Sequence, residues 1–287
     1  RIKAVLLDGE HRPVAAGDYR WENKLDGDIW TYSLQEAMEG VAAAYRAMAS
    51  AFHQENGIEI RNLAGIGISA MMHGYLPFDG EGRLLAPFRT WRNTMTAQAA
   101  EELTGALGFN VPQRWSAAHL YQAVLNGEAH VSHIAFLTTL SGYVHWKLTG
   151  RKVLGVGDAS GMFPIDSQTG GYSARLLERF EEKIAPYRLP WTLSDLLPKV
   201  LSAGEDAGAL TEEGARLLDV SGELSPGILF CPPEGDAGTG MVATNSVAPR
   251  AGNVSAGTSI FAMVVLERPL AAVHEELDVV ATPAGDP

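Results

Sequence analysis

The sequence predicts an α/β or α+β fold, with helices laid over a sheet and α/β the class expected, on three observations. Short apolar runs alternate with amphipathic helical stretches along the 287 residues. Those runs end in Gly, Asn or Asp turns instead of long polar linkers. Apolar residues make up 46% of the chain, enough for one large or two medium domains with real cores.

The elements follow in order. Lys3 to Leu7 reads as a first strand, closed by the turn region Gly9-Glu-His-Arg-Pro13. Ser33 opens a helix with Glu36 three residues on, the pattern of a capping box. Leu34, Met38, Val41, Tyr45, Met48 and Phe52 then recur at spacings of four and three, one core-facing stripe that stops near Gly57. Leu63 to Ser69 reads as a buried strand; Tyr75 to Phe78, an Asp79-Gly80 turn and Pro87 to Trp91 continue the sheet. Helices are predicted at Met95 to Leu107, at Ser116 to Leu125 with Ser116 as N-cap, and at Leu140 to Leu148 before Gly150. Two more, Ser173 to Ile184 and Thr211 to Leu218, lead to the apolar run Ile228-Leu-Phe230, with Cys231 as a small buried hydrophobe at its end. A hairpin turning at Gly257-Thr258-Ser259 into the strand Ile260 to Val265 comes last. The chain starts inside a strand and stops shortly after this hairpin, so it reads as a fragment cut at both ends.

Charge and cysteine usage exclude whole classes of function. A net charge of -12 opposes non-specific binding to nucleic acid or anionic membrane, both of which need a basic surface. One cysteine, Cys231, leaves no internal disulfide and no multi-cysteine zinc site, which fits a reducing compartment. No run approaches the roughly 18 apolar residues of a membrane span, and no signal-peptide pattern opens the chain. A cytoplasmic enzyme handling small molecules is the expectation.

Chemistry concentrates in a few places. Asp236 follows an apolar run and opens a segment rich in Gly and Ala, where a backbone can approach a ligand closely. The same position suits an ordinary helix N-cap. Gly257-Thr258-Ser259 offers amides and hydroxyls to an anion, or is merely a turn. Met72-His73-Gly74 follows a strand, at the mouth of a sheet where ligands are commonly bound; a lone His there also serves structural ends. Trp91-Arg92-Asn93 joins an aromatic face, a cation and an amide, groups that hold a sugar by stacking and hydrogen bonds. Gly157-Asp158-Ala-Ser-Gly161 reads as a ligand-facing turn or an Asx turn. Arg114-Trp115 precedes a helix, its aromatic lining a pocket or the core.

Taken together, Lys3 in a first strand, GIGISAMMHG at 65–74, WRN at 91–93, GDASG at 157–161, EGDAGTG at 234–240 and AGTS at 256–259 resemble the N-terminal part of the FGGY carbohydrate kinases. MHG in the second motif is similar to the xylulokinase branch. The resemblance implies an actin/Hsp70-like (ribonuclease H-like) ATPase fold, with residues 1–249 as the sugar-binding first domain and 250–287 as the start of the ATP-binding second. It implies Asp236 as the general base, Met72 and His73 as sugar contacts together with Trp91, Arg92, Asn93 and Asp158, and Lys3, Gly257, Thr258 and Ser259 at the phosphates of ATP. Mg2+ accompanies ATP, no protein residue is assigned to it, and a homodimer is left open. The substrate implied is a ketopentose such as xylulose. Other sugars or polyols (L-ribulose, L-xylulose, rhamnulose, gluconate, glycerol) and a non-catalytic sugar- or nucleotide-binding relative stay open beside it.

Three features depart from the family pattern. Its D-x-G-T phosphate loop would lie before Arg1, so the polypeptide alone is expected to show no useful turnover. Asn93 stands where an acidic residue is common, and His119, Leu120 and Tyr121 replace a K-x-x-W pattern.

Overall fold

In a computed structural model of the chain, which describes residues 1–256 and 260–287, the N-terminal hairpin pairs β1 (Ile2–Leu7) with β2 (Pro13–Tyr19) in antiparallel register, Lys3 opposite Asp18. A second small hairpin, β3 (Lys24–Asp26) and β4 (Ile29–Thr31), turns at Gly27. Helix α1 (Leu34–Asn56) then packs back across β1 and β2. Gly17 permits this closeness: a Cβ there would stand 2.3 Å from the Ala44 carbonyl oxygen and the Met48 nitrogen. Of the expected capping box only half forms. Ser33 Oγ accepts the Glu36 N–H at 3.2 Å, but the Glu36 carboxylate turns to Lys24 instead of reaching back.

Beyond α1 the chain lays down β5 (Ser69–Ala70), β6 (Leu76–Phe78), α2 (Ala97–Leu107), α3 (Ser116–Leu125), β7 (Phe136–Thr138) and α4 (Leu140–Thr149). It continues through β8 (Val153–Gly155), α5 (Val156–Ser160), the hairpin β9 (Ile165–Asp166) and β10 (Gly171–Tyr172), α6 (Ala174–Ile184), α7 (Leu193–Leu196), β11 (Lys199–Leu201) and α8 (Glu212–Leu218). Last come β12 (Glu234–Gly235), α9 (Asp236–Ala243) and the hairpin β13 (Gly252–Ala256) with β14 (Ile260–Val264), the hairpin expected from the sequence. The remaining strands pair in parallel as β5–β12 and β8–β11 and antiparallel as β6–β7.

Two apolar cores fill the interior. One gathers Leu103, Leu107, Trp115, Tyr121, Phe163 and Phe180 under α2, α3 and α6. The other joins Tyr45, Phe78, Phe88, Leu148 and Phe230 beneath α1 and α4. Ala159 and Met162 belong to the first, whereas Ala70 and Met71 pack on the second, so the ends of β5 and α5 meet on the seam between them.

Several local expectations change. Leu63 to Ser69 is half-buried: Ile66 and Ile68 turn inward while Gly65, Gly67 and Ser69 are exposed, and only β5 and a parallel bridge from Ile66 to Phe230 are strand-like. Pro87 to Trp91 contributes one bridge, Arg89 to Tyr75. Cys231 is exposed, because the extended run alternates, Ile228 and Phe230 inward and Leu229 and Cys231 outward. The N-cap of α3 is Trp115; Ser116 is the first helical residue, and its hydroxyl donates to the Gly74 carbonyl at 2.6 Å.

Candidate functional site

β5 and β12 run parallel, Ser69 opposite Glu234 and Ala70 opposite Gly235. Their carboxyl ends therefore leave the sheet side by side, one into Met72-His73 and the other into Asp236. Ser69 Oγ and Thr239 Oγ1, 2.7 Å apart, tie the two exits together. This brings Met72 and His73, neighbours in sequence, next to Asp236 from more than 160 residues away.

His73 adopts a left-handed backbone at φ 66°, a region that His enters more readily than most residues, and Gly74 follows at φ 94°. The Gly74 peptide is held from both sides, its N–H donating to Arg114 O at 3.1 Å and its carbonyl accepting from Ser116. Consequently the imidazole lies over Trp115, 6.3 Å between centroids and 17° between planes. Its Nδ1 sits 3.1 Å from the Gly161 carbonyl, which can only accept, so Nδ1 carries the proton and Nε2 keeps a lone pair. Burial pushes the His73 pKa down to about 4, with a smaller push from Arg114, and the ring is neutral at pH 7. A neutral imidazole of this tautomer accepts a hydrogen bond from a hydroxyl.

Asp236 is the first residue of α9, and the N-cap is Gly235, which offers no side chain. The N-cap reading of Asp236 is thus corrected. Its carboxylate reaches solvent, while the walls around it raise its pKa by desolvation and the N–H groups of Ala237 and Met72 partly oppose that rise. A carboxylate made somewhat more basic, at the start of a helix, suits proton acceptance.

Beneath these two lie two further carboxyl groups. Asp158 is fully buried inside α5, not on a turn, and its Oδ2 accepts from Thr139 Oγ1 at 2.6 Å and from Ser141 Oγ. Its Oδ1 has no partner. Glu234 accepts the N–H of Gly157 at 3.2 Å and of Asp158 at 2.8 Å. Burial lifts both to about 7, Asp236 adding to the rise at Asp158 and Asp158 to that at Glu234. Glycines make this packing possible: a Cβ on Gly235 would meet Met72 Cγ at 2.1 Å, and one on Gly161 would meet His73 Nδ1 at 2.7 Å.

The remaining predicted residues lie elsewhere. Trp91 is 46% exposed, and Arg92 places its guanidinium 4.2 Å over the Trp30 ring. Asn93 is buried and bonded to Trp30 and Thr90. Arg92 and Asn93 line a hollow of about 230 Å³ with Asp28, Trp30, Thr94 and Met95. Lys3 projects to solvent from β1 across from Asp18. Gly257, Thr258 and Ser259 lie outside the described residues. Sequence reasoning missed Glu234, Thr139, Ser141 and the role of Gly161. The one available signal was an acidic residue placed directly before Gly235-Asp236.

Comparison with known proteins gives this geometry a family. The sequence pattern of the FGGY family of carbohydrate kinases, N-terminal domain, matches residues 1–223. The chain is 24% identical over 288 residues to a xylulose kinase of Haemophilus influenzae, covering 93% of this chain and 55% of the relative. A xylulose kinase of Klebsiella pneumoniae is also 24% identical, over 95% of this chain and 55% of its own length. The chain spans about half the length of the curated relatives it matches. Among solved structures, a xylulose kinase of Rhodospirillum rubrum superposes with a TM-score of 0.77 at 17% identity, over 98% of this chain and 56% of that one. A gluconate kinase of Lactobacillus acidophilus gives 0.76 at 15% identity, over 93% and 52%. The fold is therefore the actin/Hsp70-like α/β fold of these kinases. No described helix is long and apolar enough to cross a membrane. With its family pattern running through more than three quarters of its length, the chain belongs to the FGGY family of carbohydrate kinases.

Proposed function

We propose that the protein phosphorylates a sugar or polyol at a terminal hydroxyl with ATP, and that a ketopentose such as xylulose is its substrate. The observation that carries this reading is the convergence of Met72, His73 and Asp236 where β5 and β12 leave the sheet. His73 Nε2 accepts from one sugar hydroxyl and so orients the chain of the sugar. Asp236 accepts the proton of the hydroxyl that attacks, a contribution of about 10²- to 10⁴-fold for a positioned base. Met72, buried beside Gly235, walls the sugar's apolar side. Asp158, fully buried, supports this floor, and Trp91, Arg92 and Asn93 are proposed as further sugar contacts.

ATP supplies the transferable phosphoryl group, and Mg2+ neutralises its charge. Among the described residues no three His, Cys, Asp or Glu side chains converge as a metal shell. Mg2+ is bound in such sites through one or two carboxylates plus the substrate phosphates. Residues 1–249 serve as the sugar-holding domain and residues from 250 onward lead into the nucleotide-holding part. Xylulose is favoured over gluconate or glycerol by three curated relatives, each a xylulose kinase.

The test is an ADP-release assay on the full-length protein with a panel of ketopentoses, gluconate and glycerol, beside Asp236→Ala. A ketopentose is expected to be turned over fastest, and Asp236→Ala is expected to lose at least 10²-fold. Equal turnover in the variant removes Asp236 from the role of base, and no turnover on any substrate favours a binding protein.

A further inference from the structure

We propose that Glu234 is a positioning residue for Asp236, a remote carboxylate cap that locks the base to the turn holding His73. The proposal rests on the reading of Asp236 as the base. Its observations are independent of that reading.

The first turn of a helix leaves N–H groups without intrahelical partners, and a local Ser, Thr, Asp or Asn usually takes them. At α5 the N-cap is Gly155, which offers no side chain. Glu234 does this work from another strand: one oxygen accepts from Gly157 at 3.2 Å and the other from Asp158 at 2.8 Å. Gly155 N–H adds a bond to Pro233 O at 2.8 Å, so the strand is held both just before Glu234 and through its side chain. The carboxylate packs tightly against both glycines. A Cβ on Gly155 would stand 2.2 Å from Glu234 Oε1, and one on Gly157 would stand 2.5 Å from Oε2.

Each partner of this clasp leads to the site. Two residues past Glu234 along the chain stands Asp236. From Gly157 and Asp158 the short helix runs on to Gly161, whose carbonyl accepts the His73 Nδ1 proton. One buried carboxylate thus joins the base-bearing strand end to the turn that sets the imidazole. Displacing a reacting group by about 1 Å costs on the order of 10²-fold in rate, so a residue that touches no substrate can still govern turnover.

The experiment compares Glu234→Ala, Glu234→Gln and Asp236→Ala in the full-length protein, with kcat normalised to the folded fraction by circular dichroism and sugar binding. Glu234→Ala is expected to lower kcat by about 10- to 100-fold with the KM for ATP unchanged. Glu234→Gln keeps the length and one acceptor, and should fall between Ala and the wild type. If both variants fold and keep the wild-type kcat, the proposal is overturned; a lower melting temperature alone has the same meaning. Should Glu234→Ala fail to fold, Glu234→Gln decides, and Gly157→Ala, which pushes on the carboxylate from the other side, must reproduce its loss of kcat. Unchanged turnover in Asp236→Ala instead overturns the reading of the base and leaves the clasp as architecture.

Discussion

Asn93 makes a two-way hydrogen bond with the main chain of Trp30: Nδ2 donates to the carbonyl at 2.8 Å, and Oδ1 accepts the N–H at 2.9 Å. Its amide thereby pairs with the edge of β4 as another strand would, across 63 residues of sequence. Asn93→Asp keeps the shape and removes the donor, setting a carboxylate against a carbonyl. A loss of about 1 to 3 kcal/mol in denaturant unfolding is expected. Weaker sugar binding at unchanged stability would instead mark Asn93 as a sugar contact.

Gly161 backs the His73 imidazole, so its substitution disturbs that ring without replacing it. A Cβ there would lie 2.7 Å from His73 Nδ1 and 3.2 Å from Met72 Cε. In Gly161→Ala the ring must swing out and its bond to the carbonyl is lost. Sugar affinity is expected to fall about tenfold, the worth of one hydrogen bond near 1.4 kcal/mol, while ATP affinity holds. Calorimetric titration with sugar and nucleotide separates the two.

Helices were legible from sequence because their signals are local. Ser33, Thr139 and Thr211 each accept from the N–H that a cap should satisfy, and Gly57 and Gly150 end their helices in left-handed conformations. Asp236 and Met72-His73 were legible as chain positions, since a strand end followed by small residues is a local pattern. What Asp158 does was not. Its partners Thr139 and Ser141, at the start of α4, and the Glu234 carboxylate, from β12, come from two other segments, and no local pattern encodes a meeting of that kind. The pairing of the Asn93 amide was hidden for the same reason: its partner is a strand edge far away in sequence.

Asp158 should reveal itself through pH. Burial raises its folded pKa to about 7 against an ordinary 3.8, so the folded state holds a proton that the unfolded chain gives up. Its contribution is fully present below pH 3.8 and is lost as pH rises through 7. Asp158→Asn keeps acceptor and volume but never ionises. The variant is expected to gain on the wild type by up to about 1.4 kcal/mol per pH unit between pH 4 and 7. Urea unfolding at pH 5 and pH 8 gives the answer: a gap that does not widen means Asp158 ionises in the fold without penalty.

His119 tests the opposite sign. It is fully buried, its ring lies 6.1 Å from that of Tyr75, and neither nitrogen has a hydrogen-bond partner. Burial, helped by the charge of Arg89, pushes its pKa down to about 3. The unfolded chain therefore binds a proton that the fold excludes; the stability is whole above pH 6.5 and drains away as pH falls toward 3. Replacing a buried, unpaired polar ring by an apolar side chain of similar volume removes the cost of stripping it of water. His119→Leu is expected to be neutral or stabilising at pH 7.5, and to gain on the wild type by up to about 1.4 kcal/mol per pH unit below pH 6.5. Thermal unfolding from pH 7.5 to 4.5 measures it. Should the variant instead lose stability at every pH by a constant amount, the ring is held by bridging water, and its nitrogens are satisfied after all.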